Sequence, residues 1–394
     1  MRSTTGLKKK IGRKALKSAL ITFMACLLAY LIVAPLSESL FAKLFSGAET
    51  SDFNMSDMFI QFADSRPVRH LDDRIVLVDI GYAGRGEIAE ALDVIAIAEP
   101  KVVGLDVNFP EPKGEADTEL LSSIMSQKKI VLPLVMEDKN KTFTIAEKPF
   151  FYDSLGNSVK YGAVNLPAKS ATANIREFEV EYSQGAKMEP IPSFVVEMVR
   201  LGDPEAYTEL KKRGNERETI DYASKEFTVI PIDRILDRAD ELTGKYVLVG
   251  SMGDAYDMHS TPLNSYQSGL MIHASALSTI LDGKWFVYLP DIIDYITAAV
   301  LCFLLVFASE MILGKGKDLA LRLLQLFILI LIVWIGYNLF IDHHTIIDLS
   351  YTFFVVGIGL FVEELCDGVE ELWRWLIAKH KQTKLNSQNN IYEA

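Results

Sequence analysis

The pattern of hydrophobic positions divides the chain into two apolar ends and a mixed middle region. Near the N-terminus, residues 18–36 carry no charge, and the preceding tail (residues 1–17) has seven Lys or Arg and no acidic residue. Such a run approaches the about 20 residues that cross a hydrocarbon core. A secretory signal begins in the same way, but its apolar region is usually only about 7–15 residues long. The length favours an uncleaved anchor, with a cleaved signal as the alternative.

Three more apolar runs follow the middle region and predict membrane helices over residues 291–313, 320–341 and 345–363. The first run contains Glu310 near its end, and the second is uncharged from residue 323 to residue 341. The third includes Asp348 close to the expected membrane interface, where an acidic residue is tolerated. Together with residues 18–36, these runs predict four transmembrane helices, one before the middle region and three after it.

The basic residues of the short connecting segments predict the orientation of these helices. The N-terminal tail is strongly basic, and the connector between the second and third spans contains Lys315, Lys317 and Arg322. The other short connector, residues 342–344, contains no Lys or Arg, whereas the final segment (residues 364–394) is again basic near its middle. This distribution predicts a multi-pass protein of the cell (inner) membrane with both termini in the cytoplasm and residues 37–288 outside.

The middle region, residues 37–288, alternates between strand-like and helix-like segments. Short β-branched apolar runs predict buried strands, and apolar positions with helical spacing predict helices between them. This alternation is typical of an α/β fold with a parallel or mixed sheet flanked by helices. The predicted strands cover residues 74–80, 101–106, 130–135 and 246–249, and the predicted helices cover residues 83–98, 115–127, 193–201 and 269–281.

Other segments of the middle region have less regular patterns. Residues 38–63 are predicted to be mainly helical. A period close to two over residues 161–167 and 175–182 predicts a β insertion, and two short runs at residues 219–222 and 227–230 predict a β-hairpin.

Charge and cysteine content exclude several classes of protein. The formal net charge is −12, and residues 37–288 contain 40 of the 52 acidic residues but only 26 of the 40 basic ones. A nucleic acid is therefore not the expected partner. The three cysteines, Cys26, Cys302 and Cys366, all lie within or beside apolar runs, so the sequence offers neither a disulfide framework nor a cysteine metal site.

Acidic residues at the predicted strand ends are the candidate binding residues. Ligands of parallel sheets bind beyond the carboxyl ends of the strands, and these ends or the loops after them hold Asp79, Asp106, Asp254, Asp257, His259 and Thr261. Converging carboxylates suit a divalent cation such as Ca²⁺ or Mg²⁺, although the sequence does not identify a metal and predicts no other cofactor. Alternatively, each Asp caps a helix or fixes a loop by accepting backbone N–H bonds.

Two further patterns carry no recognisable chemistry. The glycines at residues 81–86 follow a strand, but their spacing is not the G-x-G-x-x-G of a dinucleotide loop. Ser251 lacks the G-x-S-x-G context of a hydrolase nucleophile. His273, on the predicted helix 269–281, is interpreted as a packed histidine, and no catalytic residue is assigned.

The order and spacing of several segments resemble the type-2 CHASE sensory domain, which many bacterial receptors carry outside the membrane. The resemblance rests on residues 74–80 (RIVLVDI), 101–109 (KVVGLDVNF), 161–165 (YGAVN), 244–250 (GKYVLVG), 257–262 (DMHSTP) and 269–274 (GLMIHA). It implies a sensory domain followed by three closely spaced membrane helices. The family often has a second acidic residue where this chain has Gly81, which weakens a metal site at Asp79.

The resemblance also implies a cytoplasmic output domain, and about 32 residues after Val362 are too few for one. The leading hypothesis is therefore a membrane-anchored sensory module that binds an unknown small-molecule or protein ligand outside the membrane. It would signal to a separate output protein and could form a homo-oligomer. The alternatives are a structural envelope protein that docks another protein, and an exported metal-dependent hydrolase.

Overall fold

The computed structural model describes residues 15–31, 55–65, 70–140, 142–167, 173–186, 188–223, 225–312 and 317–392. The chain divides into two compact units. The larger unit is Ala42–Phe286, and the smaller unit combines Met1–Phe41 with Val287–Ala394.

The described residues form eleven α-helices and fifteen strands. The helices are α1 (Ala15–Leu31), α2 (Met55–Asp64), α3 (Arg85–Ile97), α4 (Ala116–Ser126), α5 (Tyr152–Leu155), α6 (Phe194–Gly202), α7 (Pro204–Arg213), α8 (Gly269–Asp282), α9 (Ile292–Met311), α10 (Lys317–His343) and α11 (Ser350–Tyr392). The strands are β1 (His70–Asp79), β2 (Val102–Asp106), β3 (Ile130–Asp138), β4 (Phe143–Glu147), β5 (Lys160–Ala163), β6 (Glu177–Glu179), β7 (Glu181–Tyr182), β8 (Ile191–Pro192), β9 (Arg217–Thr219), β10 (Lys225–Pro231), β11 (Tyr246–Gly250), β12 (Met258–His259), β13 (Gln267–Ser268), β14 (Val287–Tyr288) and β15 (Thr345–Ile346).

A seven-stranded sheet forms the centre of the larger unit. Its strand order is β10-β1-β11-β2-β3-β4, and β5 pairs with β3 as well. All of these pairings are parallel except β3 with β4, which is antiparallel. The predicted α/β class, with a central sheet flanked by helices, is therefore confirmed.

Helices cover both faces of this sheet. On one face, Leu92 of α3 and Leu120 of α4 are fully buried against apolar residues of β1, β2 and β11. On the other face, α6 and α8 pack on the strands. Gly104 of β2 makes this second layer tight, because a Cβ atom there would lie 2.5 Å from the Met198 sulfur and 2.8 Å from the Phe194 ring of α6.

Two predictions about the edges of the sheet are wrong. The period of two over residues 161–167 and 175–182 predicts a β insertion, but β5 is a parallel strand of the main sheet; β6 and β7, within residues 175–182, do pair outside that sheet, with β9 and β8. The runs at residues 219–222 and 227–230 do not form a hairpin, since β9 pairs with β6 and β10 pairs with β1. In both cases the partner strand is distant in the chain, so no local pattern identifies it.

The smaller unit contains the long apolar helices. By length and composition, α9 and α10 could each cross a membrane, and α1 is a shorter apolar helix. The predicted first span, residues 18–36, extends outside the described residues, as does most of the tail 1–17. Helix α11 continues without a break for 43 residues, so the predicted boundary between a span ending at residue 363 and a separate tail is not a helix end.

Helix α11 begins at a buried carboxylate from α9. Asp294 accepts hydrogen bonds from the backbone N–H groups of Tyr351 (2.9 Å) and Thr352 (2.8 Å), and its backbone carbonyl accepts one from the Thr352 hydroxyl. The first N–H groups of a helix lack partners within the helix. Asp294 therefore fixes the start of α11 against α9.

Candidate functional site

Three adjacent strands of the sheet end at the same level. Asp79 of β1 pairs in register with Gly250 of β11, and Gly250 pairs with Asp106 of β2. The residue before each of them lies in the core beneath α3 and α4, so strand alternation places all three on the face covered by α6 and α8. Gly250 separates the two carboxylates and admits α8, because a Cβ atom there would lie 2.9 Å from the Leu270 side chain.

Asp106 and His273 form the buried part of this site. The Nε2 atom of His273 in α8 lies 3.8 Å from an oxygen of Asp106, and the two side chains are only 6% and 16% exposed. This separation is too long for a direct hydrogen bond. The His273 ring also hydrogen bonds with the backbone of Val164 and packs beside the Phe194 ring, with 5.4 Å between the ring centroids.

Burial keeps both groups close to their uncharged forms. Loss of solvent raises the pKa of Asp106 to about 7, with a further contribution from the negative charge of Asp257. Loss of solvent lowers the pKa of His273 to about 4, which Asp257 opposes and His259 reinforces. At neutral pH, His273 is therefore uncharged. The pKa of Asp106 lies close to neutral pH, so small changes in its surroundings alter its charge.

Asp257 and His259 lie above this pair, at the N-terminus of α8. One oxygen of Asp257 accepts a hydrogen bond from the backbone N–H of Gly269 (3.1 Å), and the other lies 3.1 Å from Nε2 of His259. Both side chains are partly exposed, at 42% and 32%. The Asp257 carboxylate occupies the space that a Cβ atom of residue 269 would need. A negative charge is stabilised at this end of a helix.

The other candidate residues have backbone partners within the loops. Asp79 accepts hydrogen bonds from the N–H groups of Gly81 and Met252, both at 3.0 Å. Asp254 accepts one from the N–H of Tyr256 at 2.9 Å. Asp79 and Asp254 therefore stabilise the conformation of the loops that follow β1 and β11.

Thr261 similarly closes a turn with a single neighbour. Its hydroxyl donates to the carbonyl of Asn264 (3.0 Å) and accepts from the N–H of the same residue (3.1 Å). The side chain is buried. Thr261 therefore shapes the loop between β11 and α8 from within.

The sequence interpretation of His273 misses its position opposite Asp106. The strand β11 lies beside β2 and leads into α8. A polar residue one turn into α8 was therefore the available signal that His273 could reach the end of β2. In the part of the chain that the structure describes, no three His, Cys, Asp or Glu side chains converge as metal ligands. The arrangement instead offers a carboxyl group and an uncharged imidazole to a polar ligand.

Comparison with known proteins identifies the family. No curated protein and no solved structure matches the chain. The CHASE2 domain family matches residues 39–308, which is more than half of the sequence. CHASE2 is an extracellular sensory domain family, and this match confirms the resemblance predicted from the sequence. The chain belongs to the CHASE2 domain family.

Proposed function

We propose that this protein is a membrane-anchored extracytoplasmic sensory module that binds a ligand at the carboxyl edge of its sheet. The observation that carries this proposal is the meeting of Asp106 and His273 beneath the loop of residues 251–268. Ionisable groups whose pKa values are strongly shifted by burial in a partly closed site are typical of binding and functional sites. Asp257 and His259, which are partly exposed above them, would make the first contacts with the ligand.

The proposed membrane topology has four spans, with both termini in the cytoplasm and residues 37–288 outside. The length and composition of α9 and α10 support two of these spans. The apolar helix α1, the apolar first part of α11 and the basic residues of the connectors support the remainder.

The proposed signal passes through α8. This helix carries His273, and its first N–H group is bound by Asp257. A ligand that binds either residue would change the contacts that hold α8 over the sheet, and it would shift the protein between two states only if it binds them with different affinities. Helix α8 ends at Asp282 and α9 begins at Ile292. A separate output protein would detect the resulting change.

Thermal unfolding of the full chain in detergent tests ligand binding. The panel should contain divalent cations and small polar metabolites. A true ligand at 100 times its Kd should stabilise the folded state by about 2.7 kcal/mol, which corresponds to a rise in Tm of several degrees. This rise should disappear in Asp106→Asn and His273→Gln, because each variant replaces one of the two buried ionisable groups with a neutral amide.

Asp153→Asn is the matched control, since it makes the same change at a carboxylate that is 80% exposed. The control should keep the full stabilisation. The binding site at the sheet edge would be excluded if a compound stabilised the wild type and both site variants equally, or if no compound stabilised the wild type at all.

Exposed tyrosines favour a second candidate, the docking of another protein at the same edge. Tyr82 follows β1, whereas Tyr256 and Tyr266 lie in the loop after β11, and their side chains are 93%, 98% and 61% exposed. Tyrosine is enriched at protein interfaces. A stoichiometric partner that copurifies without added ligand, and is lost in Tyr82→Ser with Tyr256→Ser, would favour this candidate.

A further inference from the structure

One face of helix α11 forms part of the core of the smaller unit. Tyr351, Val355, Ile358 and Val362 follow one another at intervals of four, three and four residues, and they pack with apolar residues of α1 and α9. Alternating intervals of three and four residues place side chains on one stripe of a helix. The apolar side of α11 in this part of the helix therefore faces α1 and α9.

The same stripe continues beyond the core as an exposed seam. Leu365, Val369, Leu372 and Leu376, here called the α11 seam, extend the alternation from Val362 without interruption. Their side chains are 52%, 66%, 56% and 45% exposed. Within the described ranges, no element of the chain buries the α11 seam, although four large apolar residues in a row favour burial.

Charged residues are segregated from the seam. In a heptad with Val362, Val369 and Leu376 at position a, the charged side chains occupy positions b, c and f, which face away from the seam: Glu363, Glu364, Asp367, Glu370, Glu371 and Arg374. The flanking e and g positions hold Cys366, Gly368, Trp373 and Trp375, none of which is charged. Lys379 ends the seam at the next d position, and its ammonium group lies 4.8 Å from the Trp375 ring. This distribution is that of a coiled-coil strand with a broad apolar face.

We propose that the α11 seam binds the same seam of a second copy, forming a parallel two-stranded coiled coil. Valine at position a with leucine at position d, as in Val369-Leu372, favours parallel dimers. The parallel direction also follows from the proposed membrane anchorage, because two copies inserted in the same orientation extend their α11 helices to the same side. Two heptads form a short interface, and confinement to one membrane raises the effective concentration of the partner.

Charge argues against a membrane surface as the occupant of the seam. The cytoplasmic leaflet is anionic and attracts Lys and Arg, whereas five of the six charged residues at positions b, c and f of this segment are acidic. The basic N-terminal tail is complementary to these acidic residues rather than to the seam. Lys17 lies 3.9 Å from Glu370, which is off the seam.

Disulfide crosslinking of the full chain in membranes tests the proposal. In a Cys366→Ser background, Val369→Cys and Leu372→Cys place a thiol on the seam, and Glu371→Cys and Arg374→Cys place one on the opposite face. Mild oxidation should give at least about five-fold more dimer from the seam variants, because a and d side chains of two parallel helices face each other directly. Copies that carry two different tags should copurify, and Val369→Lys with Leu372→Lys should reduce this copurification, whereas Glu371→Lys should not.

Three results would overturn the proposal. They are equal crosslinking at all four positions, a crosslinked product that lacks the second tag, and copurification that Val369→Lys with Leu372→Lys leaves unchanged. A fourth result would also overturn it: seam thiols that resist both crosslinking and a water-soluble maleimide would indicate a lipid surface or a different protein instead. Because these readouts do not involve a ligand, they are independent of the binding test at the sheet edge.

Discussion

Asp106 and His273 should make opposite contributions to the pH dependence of stability. The folded chain keeps a proton on Asp106 up to about pH 7, whereas an unfolded Asp loses it near pH 3.9. The contribution of Asp106 therefore stabilises the folded state at low pH, and this stabilisation decreases as pH rises. In the folded chain His273 stays unprotonated down to about pH 4, whereas a histidine in the unfolded chain is protonated below about pH 6.5. That contribution falls as pH is lowered, so the two largely cancel between about pH 4.5 and 6.5.

Single substitutions should reveal these two opposing slopes. Relative to the wild type, His273→Gln should lose stability as pH rises from 4.5 to 6.5, because Asp106 remains buried and Asp257 remains near it. Asp106→Asn should lose stability as pH falls over the same range. The midpoint of urea unfolding at several pH values measures both effects. Parallel pH profiles for the two variants would contradict the assignment.

At the scale of single residues, the sequence predicts the carboxylates better than their partners. Asp106 is identifiable because it ends a buried apolar run, and such ends meet at one edge of a parallel sheet. The pairing with His273 does not follow from the local pattern, because it depends on α8 packing against β1 and β11 and on Gly250 leaving room for that helix. The loop-fixing contacts of Asp79 likewise depend on the N–H of Met252, which is 173 residues away in the chain.

At the scale of elements, a buried ion pair connects α2 with the loop that covers the site. Asp57 of α2, which is 3% exposed, accepts hydrogen bonds from Arg176 at 2.6 and 2.7 Å. Asn174 donates to the same carboxylate at 3.2 Å, and its side-chain oxygen accepts a hydrogen bond from the hydroxyl of Ser260 at 2.6 Å. The Asp57 carboxylate thus connects α2 to the loop between β11 and α8, which Gln61 of α2 also contacts through the Pro262 carbonyl.

Removal of this carboxylate should destabilise the larger unit strongly. Asp57→Ala leaves Arg176 as a buried charge without its main partner, which typically costs about 3–5 kcal/mol. Urea unfolding of the full chain measures this loss through the fluorescence of Trp285, which is the remaining tryptophan after Trp334→Phe, Trp373→Phe and Trp375→Phe.

The control for this prediction is Asp153→Ala, which breaks the exposed pair with Lys148. Such a pair contributes only about 0–1 kcal/mol. A loss in Asp57→Ala no larger than that of the control would show that the ion pair does not stabilise the unit.

The sequence predicts the central elements but not the edges of the sheet. The buried runs of β1, β2 and β11 are apolar because helices cover the sheet on both faces. Strand β5 shows no such run, and Gly162 is required there because the backbone of Phe194 lies 2.6 Å from the position of its absent Cβ atom. Contacts of this kind join distant segments, so they leave no periodic signal in the sequence.

At the scale of the whole molecule, the four-span topology makes a prediction for reporter fusions. Alkaline phosphatase, which is active only outside the cytoplasm, should be active when fused after His344 and inactive when fused after residue 316 or residue 394. The basic connectors explain this expectation, because Lys and Arg remain on the cytoplasmic side. The reverse pattern of activity would contradict the proposed orientation.

A tag at the N-terminus completes this experiment. Its retention in the mature protein would identify residues 18–36 as an anchor, and its loss would identify them as a cleaved signal.

The unbroken length of α11 has a mechanical consequence. At 1.5 Å per residue, its 43 residues extend about 64 Å, roughly twice the about 30 Å thickness of a hydrocarbon core. The portion after residue 362 alone measures about 45 Å at the same rise. A rotation of about 5° around residue 362 would move the far end by about 4 Å, on the same rigid-rod estimate. The helix would therefore act as a lever. If its first turn, near Asp294, moved by about a bond length, its C-terminal end would move by about the length of a side chain.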